Sequence, residues 1–447
     1  MILRVATENR DLLAFGLIAL LAVTRAVQPS RATKHAGSLL RFVRLRPLQG
    51  GAACLDGSPY GYYFRQGDPS RFHIGLDGGG VCTDADSCEQ RLGTAQGTST
   101  VWPNTRVMKR SIASDEMDHA LASWTAVVLP YCDGMFFAAN RSDSLGRGSK
   151  RLWFRGRANV DAVLQSLRDT HGMGKANDIL LWGESAGGFA VYNNLDRLAA
   201  SFPAARVRGL ADAAFNLAMF DYSTHVPTLF TQAWANEFNM VNSADNSCVA
   251  AAGPQDGWRC LFDNERVYRH LTTPVFVVRA RFDCAGFFLM SEPIACLPAP
   301  LAYDLSAEPY FYIQRPACGA EELARFHSSG WQVLQILNRS GALRGGALGH
   351  NGLYSDACVH HSMTSIGDYW NSRDYMIQGA TLAQAVGAWL EAPRSEHPDP
   401  GAHIHVDESA WSPTSPCSLA FESCLGALEY RPDFYCGSEP WKARFCA

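Results

Sequence analysis

The chain has 447 residues, of which 47% are apolar and 18% charged, and its formal net charge is −4. Such a length holds one large α/β domain with insertions or two ordinary domains, and the apolar share is enough for a substantial core. A near-neutral balance without a Lys/Arg-rich run excludes the basic stripe that a nucleic-acid-binding surface needs.

At the N-terminus, residues 12–23 read LLAFGLIALLAV, twelve apolar or small residues. That run is too short for a membrane span. It suits the core of a signal peptide over residues 1–26, with small residues near a cleavage point in the AVTRA that includes Val23. Acidic Glu8 and Asp11 among basic Arg4 and Arg10 leave a retained signal anchor as the alternative. Residues 27–50 read as a loose basic lead-in, and ordered sequence is predicted from near Cys54. Strands are predicted at 72–77 (FHIGLD), 125–130 (TAVVLP), 178–183 (DILLWG), 207–212 (VRGLAD) and 274–280 (PVFVVRA). Several of these runs are almost continuously apolar, which suits strands covered on both faces of a parallel sheet. A helix is predicted over 157–172, with Val160, Val163, Leu164 and Leu167 at helical spacing and Gly172 as its stop. Strands alternating with helices give an α/β domain over 51–392. Residues 393–447, rich in Pro, Ser and Cys, read as a disulfide-held extension packed on that domain.

Fourteen cysteines are present, an even number, and no C-x-x-C pair occurs. Structural zinc is therefore poorly supported, and disulfides in an oxidising compartment fit better than free buried thiols. Asn140-Arg141-Ser142 and Asn338-Arg339-Ser340 are N-glycosylation triplets, which also arise by chance.

Gly183-Glu184-Ser185-Ala186-Gly187 matches G-x-S-x-G. A strand-like run precedes it and a helix-like run follows, the order a nucleophile turn requires. Such a turn lifts the serine clear of the sheet. The next N–H, here that of Ala186, then faces a developing oxyanion at a helix N-terminus. Three glycines follow the strand at 72–77, and the N–H groups of Gly79 and Gly80 offer the other half of an oxyanion hole. Cys82 and Cys88 are placed to close a short loop behind this strip. No H-E-x-x-H exists in the chain, so a metal hydrolase is not expected, and neither metal nor cofactor is called for.

At this point the sequence resembles the pectin acetylesterase and Notum family of secreted carboxylesterases. The resemblance lies in LDGGGVC (76–82), RLGT (91–94), YCDGMFF (131–137), LWFRGRANVDAVL (152–164), GESAGG (183–188), PVFVVRARFDCAGF (274–287) and ACVHH (357–361), in that order. It implies an α/β-hydrolase-like fold, a mostly parallel central sheet flanked by helices with disulfide-held loops. It also implies Asp283 as the acid and His361, three residues after Cys358, as the base, with Ser185 as nucleophile. His360 is the alternative base should the alignment slip by one, and Asp212 is a candidate to support the site or line its pocket. The resemblance further implies the bridges Cys54–Cys132, Cys82–Cys88 and Cys248–Cys260. His403 and His405 read as polar surface of an exposed tail. Three positions depart from the family pattern: Val81 where Trp is usual, Asp77 where Glu is usual, and Cys284 after the proposed acid. Val81 alters the wall beside the acyl group and leaves chain-length preference open. The expectation is a secreted, monomeric serine esterase of the cell wall. It removes O-acetyl groups from a polysaccharide or acts on another acyl ester, with fatty-acyl removal from a protein as the alternative.

Overall fold

In the computed structural model the described residues are 39–46, 51–82, 85–115, 119–147, 150–215, 220–221, 226–227, 231–283, 319–346, 349–365, 369–393 and 399–410. The predicted signal segment, Cys284, Cys296, Cys318 and the four cysteines beyond residue 411 lie outside them.

The five apolar runs become strands of one ten-stranded sheet. Its strands are β1 (Leu39–Arg44), β2 (Gly61–Arg65), β3 (Asp68–Leu76), β4 (Thr105–Val107), β5 (Trp124–Leu129), β6 (Asp178–Glu184), β7 (Arg206–Asp212), β8 (Val275–Val278), β9 (Gly352–Ser355) and β10 (Ile404–Val406). Their spatial order is β10-β9-β8-β7-β6-β3-β5-β2-β1-β4. Every pairing from β10 through β5 is parallel, while β5–β2, β2–β1 and β1–β4 are antiparallel. The sheet is thus mostly parallel, with an antiparallel edge.

Both faces are covered, which is why the central strands lack polar alternation. Ile179 and Leu181 of β6 face a core shared with α1 (Gly156–His171) and α2 (Ala186–Ser201). Leu180 and Trp182 face a second core shared with the later helix α3 (Leu382–Glu391). Within that second layer the Trp182 indole donates to His73 Nδ1 at 3.2 Å. Burial holds the His73 imidazole well below its usual pKa, so it is neutral and free to accept.

Two elements differ from the sequence reading. Residues 39–44, taken as part of a loose lead-in, form β1 and pair with both β2 and β4. Residues 404–406, taken as an exposed tail, pair with β9, and His405 lies opposite Tyr354. Burial lowers the imidazoles of His403 and His405. Among the described residues no helix is long and apolar enough to cross a membrane.

Disulfides join Cys54 to Cys132, Cys82 to Cys88 and Cys248 to Cys260. The first closes the widest span, 78 residues, and ties the segment before β2 to the segment after β5. Replacing Cys54 and Cys132 together by alanine should cost about 2–4 kcal/mol, chiefly by freeing the unfolded chain. Urea unfolding is the check: the midpoint should fall, and an unchanged midpoint would show that this bridge adds no stability.

Candidate active site

In parallel sheets, ligand sites form beyond the carboxyl ends of the strands, and the candidate residues gather there. Ser185 follows β6 directly and precedes α2. Its backbone sits at φ 50° and ψ −120°, a left-handed conformation that is strained for any residue with a side chain. Its N–H donates to the Asp212 carbonyl at 2.9 Å, anchoring the turn to the end of β7. The motif glycines answer to crowding: a Cβ at Gly187 would sit 1.9 Å from the Leu76 carbonyl oxygen. Chain segments from β3, β6 and α2 converge where those two glycines stand. Ala186, the first residue of α2, brings one of the N–H groups that a helix leaves unbonded in its first turn.

The glycine strip passes over this turn. A Cβ at Gly78 would lie 3.0 Å from the Ser185 Cβ. Gly79 and Gly80 follow, and Val81 packs half-buried against the α1/α2 core. Cys82 is held by its bridge to Cys88 and by its N–H, which donates to the Gly134 carbonyl at 2.9 Å. Asp77, just before the strip, pairs with Arg106. Burial nonetheless raises the Asp77 carboxyl above its ordinary value.

Asp283 and His361 meet through a small parallel ladder in which Phe282–Asp283 pairs with Val359–His360. His361 lies one residue past that ladder, and its Nδ1–H donates to Asp283 Oδ1 at 2.8 Å. Arg279 donates to the other carboxylate oxygen. All three residues are buried. Burial alone pushes the Asp283 carboxyl up, but His361 and Arg279 bring it below the ordinary carboxylate value. Burial pulls the His361 imidazole down. Asp283, with Glu184 and Asp212 behind it, more than reverses this and leaves His361 above 6.5.

His360 points to a different acid: its Nε2–H donates to Asp356 Oδ2 at 2.8 Å, and its ring stacks on Tyr369. The two histidines therefore have separate partners, and only His361 reaches Asp283. Asp356, Cys358 and His360 have ligand atoms within 4.8 Å of one another, but the Cys358 sulfur is engaged in a disulfide and offers no thiolate.

Asp212 is held inside the protein. It is 1% exposed, and its Oδ2 accepts from Met363 N at 2.6 Å, Thr364 N at 2.8 Å and Thr364 Oγ1 at 2.7 Å. Burial raises its carboxyl to about 6, against the pull of those hydrogen bonds. Asp212 thus joins the Ser185 turn, through its carbonyl, to the loop after His361, through its carboxylate. Sequence reasoning missed Arg279 and Arg106. For Arg279 the available signal was a charged residue directly after an apolar strand; Arg106, in the short Thr105–Val107 strand, carried none.

The family model for pectinacetylesterase matches residues 34–417. Pectin acetylesterase 5 of Arabidopsis thaliana is 29% identical over 348 residues, covering 76% of this chain and 77% of the relative. Pectin acetylesterase 4 of the same plant is 26% identical over 348 residues, covering 76% of this chain and 80% of the relative. The palmitoleoyl-protein carboxylesterase NOTUM of Mus musculus is 28% identical over 393 residues, covering 83% of this chain and 70% of the relative.

The charges around His361 lead to a measurement that needs no substrate. Titration of its imidazole by NMR should give a pKa above 6.5, and Asp283→Asn should lower it. Because the folded pKa is raised, protonated His361 adds stability that is full below 6.5 and is lost as the pH rises through the folded value. A wild-type pKa at or below 6.5 would contradict this electrostatic account.

Proposed function

The chain belongs to the pectinacetylesterase family, and from that premise we propose that it is a secreted serine esterase that removes O-acetyl groups from a pectin-like polysaccharide. Carboxylic ester hydrolysis is the activity that its relatives' names share. The 2.8 Å hydrogen bond between His361 and Asp283, at the same sheet end as the strained Ser185 turn, carries the assignment of the machinery.

In this mechanism Ser185 Oγ attacks the acyl carbon while His361 Nε2 takes its proton. Asp283 holds the imidazole in the tautomer with Nδ1 protonated and stabilises the imidazolium that forms. The N–H groups of Gly79, Gly80 and Ala186 receive the oxyanion of the tetrahedral intermediate. Collapse returns the proton from His361 to the leaving sugar alkoxide and leaves Ser185 acylated. Water, deprotonated by His361, then attacks the acyl-enzyme, and His361 returns that proton to Ser185 Oγ as acetate leaves. No step calls for a metal or cofactor. The bridges between described cysteines, together with the disulfide at Cys358, support an oxidising, extracellular setting.

A polysaccharide acetyl ester is favoured by the LWFRG segment at 152–156, which resembles the plant enzymes. The nearly equal identity to NOTUM, 28% against 29%, supports a second reading in which a fatty acyl group is removed from a protein. Ser185→Ala should lower kcat on p-nitrophenyl acetate and on acetylated pectin by about 10⁴-fold or more. Retained activity would remove Ser185 as nucleophile. A profile of p-nitrophenyl esters from C2 to C12 separates the two substrates: a maximum at C2 supports acetyl removal, and one at C8 or longer supports the fatty-acyl reading.

A further inference from the structure

The strip at Gly79–Gly80 is gripped by a residue that the mechanism above leaves unused. Arg91 is 3% exposed, and its Nη1 donates to the Gly79 carbonyl at 2.8 Å and to Gln96 Oε1 at 2.9 Å. Its guanidinium lies 5.9 Å from the centre of the Tyr131 ring. Tyr131 closes on the same glycine, since a Cβ at Gly79 would be 2.6 Å from Tyr131 Cδ1. On the next residue, a Cβ at Gly80 would be 3.4 Å from Arg91 Nη2.

The Gly79 carbonyl and the Gly80 N–H belong to one planar trans peptide, so they point in opposite directions. A group that fixes the carbonyl therefore fixes the aim of the N–H. We propose that Arg91 is the positioning residue of the oxyanion strip: it holds the Gly79–Gly80 peptide so that the Gly80 N–H faces the Ser185 turn. The inference rests on the serine-esterase reading and adds a residue to it.

Two physical effects follow from the choice of arginine. A charged donor forms a hydrogen bond roughly twice as strong as a neutral one, so the peptide resists rotation even though Gly80 itself is exposed. The guanidinium also draws electron density from the carbonyl, which makes the N–H of the same peptide a better donor to a developing negative charge. The covalent frame places the arginine: Arg91 N–H donates to the Cys88 carbonyl at 3.1 Å, and Cys88 is bridged to Cys82, two residues beyond Gly80. The small loop closed by that bridge thus links the end of the strip to the residue that grips its middle.

Kinetics with p-nitrophenyl acetate and inhibition by a trifluoromethyl ketone, whose hemiketal oxyanion mimics the intermediate, test the proposal. Arg91→Ala should lower kcat by about 10²–10³-fold, the loss expected when one oxyanion donor is removed, with KM within about twofold. The ketone's inhibition constant should rise in parallel, and added methylguanidine should restore part of the activity. Arg91→Lys should fall between wild type and Arg91→Ala. Gln96→Leu, which removes only the second acceptor, keeps the question answerable if Arg91→Ala does not fold: it should show a smaller loss, again in kcat and not in KM. Wild-type kcat in a folded Arg91→Ala protein would overturn the proposal. So would a loss of kcat with unchanged ketone affinity, or a wild-type kcat for both Arg91→Lys and Gln96→Leu. The esterase reading fails separately, by activity retained in Ser185→Ala.

Discussion

Asp212 is the constraint on which the site depends. Its carbonyl takes the Ser185 N–H, and its carboxylate takes three donors from Met363 and Thr364. One buried residue therefore fixes two chain segments that are far apart in sequence. The Ser185 backbone is held in a conformation that costs on the order of 1–3 kcal/mol, and it persists because its surroundings over-determine it. The glycine-lined crossing of β3, β6 and α2 supplies the rest of that confinement, since it leaves the turn no room to relax toward the sheet.

Around this frame the charges, buried at Asp283 and Asp356 and partly buried at Asp77, are paired in a definite way. Asp77 has Arg106, Asp283 has Arg279 and His361, and Asp356 has His360. Unpaired charges in such a setting are costly, so each carboxylate is fixed by its partner as much as by its own strand. Asp212 differs in that donors from the backbone and from a hydroxyl satisfy it. Together with Glu184 it adds negative potential at His361, which favours the imidazolium. In the proposed mechanism, such a field would already solvate the imidazolium that forms in each cycle.

The central strands and the Ser185 turn were legible in the sequence because each is a local pattern: an apolar run covered on two faces, or a serine between glycines at a strand-to-helix junction. Asp283 and His361 were not legible from spacing. They lie 78 residues apart and meet only through the two-residue ladder at Phe282–Asp283, so a resemblance was needed to select them. β1 was missed because Arg41 and Arg44 break its apolar character, as suits a strand on the antiparallel edge. Asp212 was named as a candidate to support the site, but its bonds were not legible, and neither were those of Arg91. Asp212 is bonded through the N–H groups of Met363 and Thr364, and Arg91 through the Gly79 carbonyl, groups that every residue type or nearly every one offers, so no letter in the sequence marks the other end of those bonds.

Two histidines stand side by side, and each has its own acid. Successive residues of an extended chain face opposite ways, so a shift of one position in the segment before His361 would turn His360 toward Asp283. It would also strip Asp356 of its imidazole and leave a buried carboxylate without that partner. The His360–Asp356 pair therefore acts as a reading-frame check on its neighbour: it makes the off-by-one arrangement expensive, and keeps His361 on Asp283 without touching it.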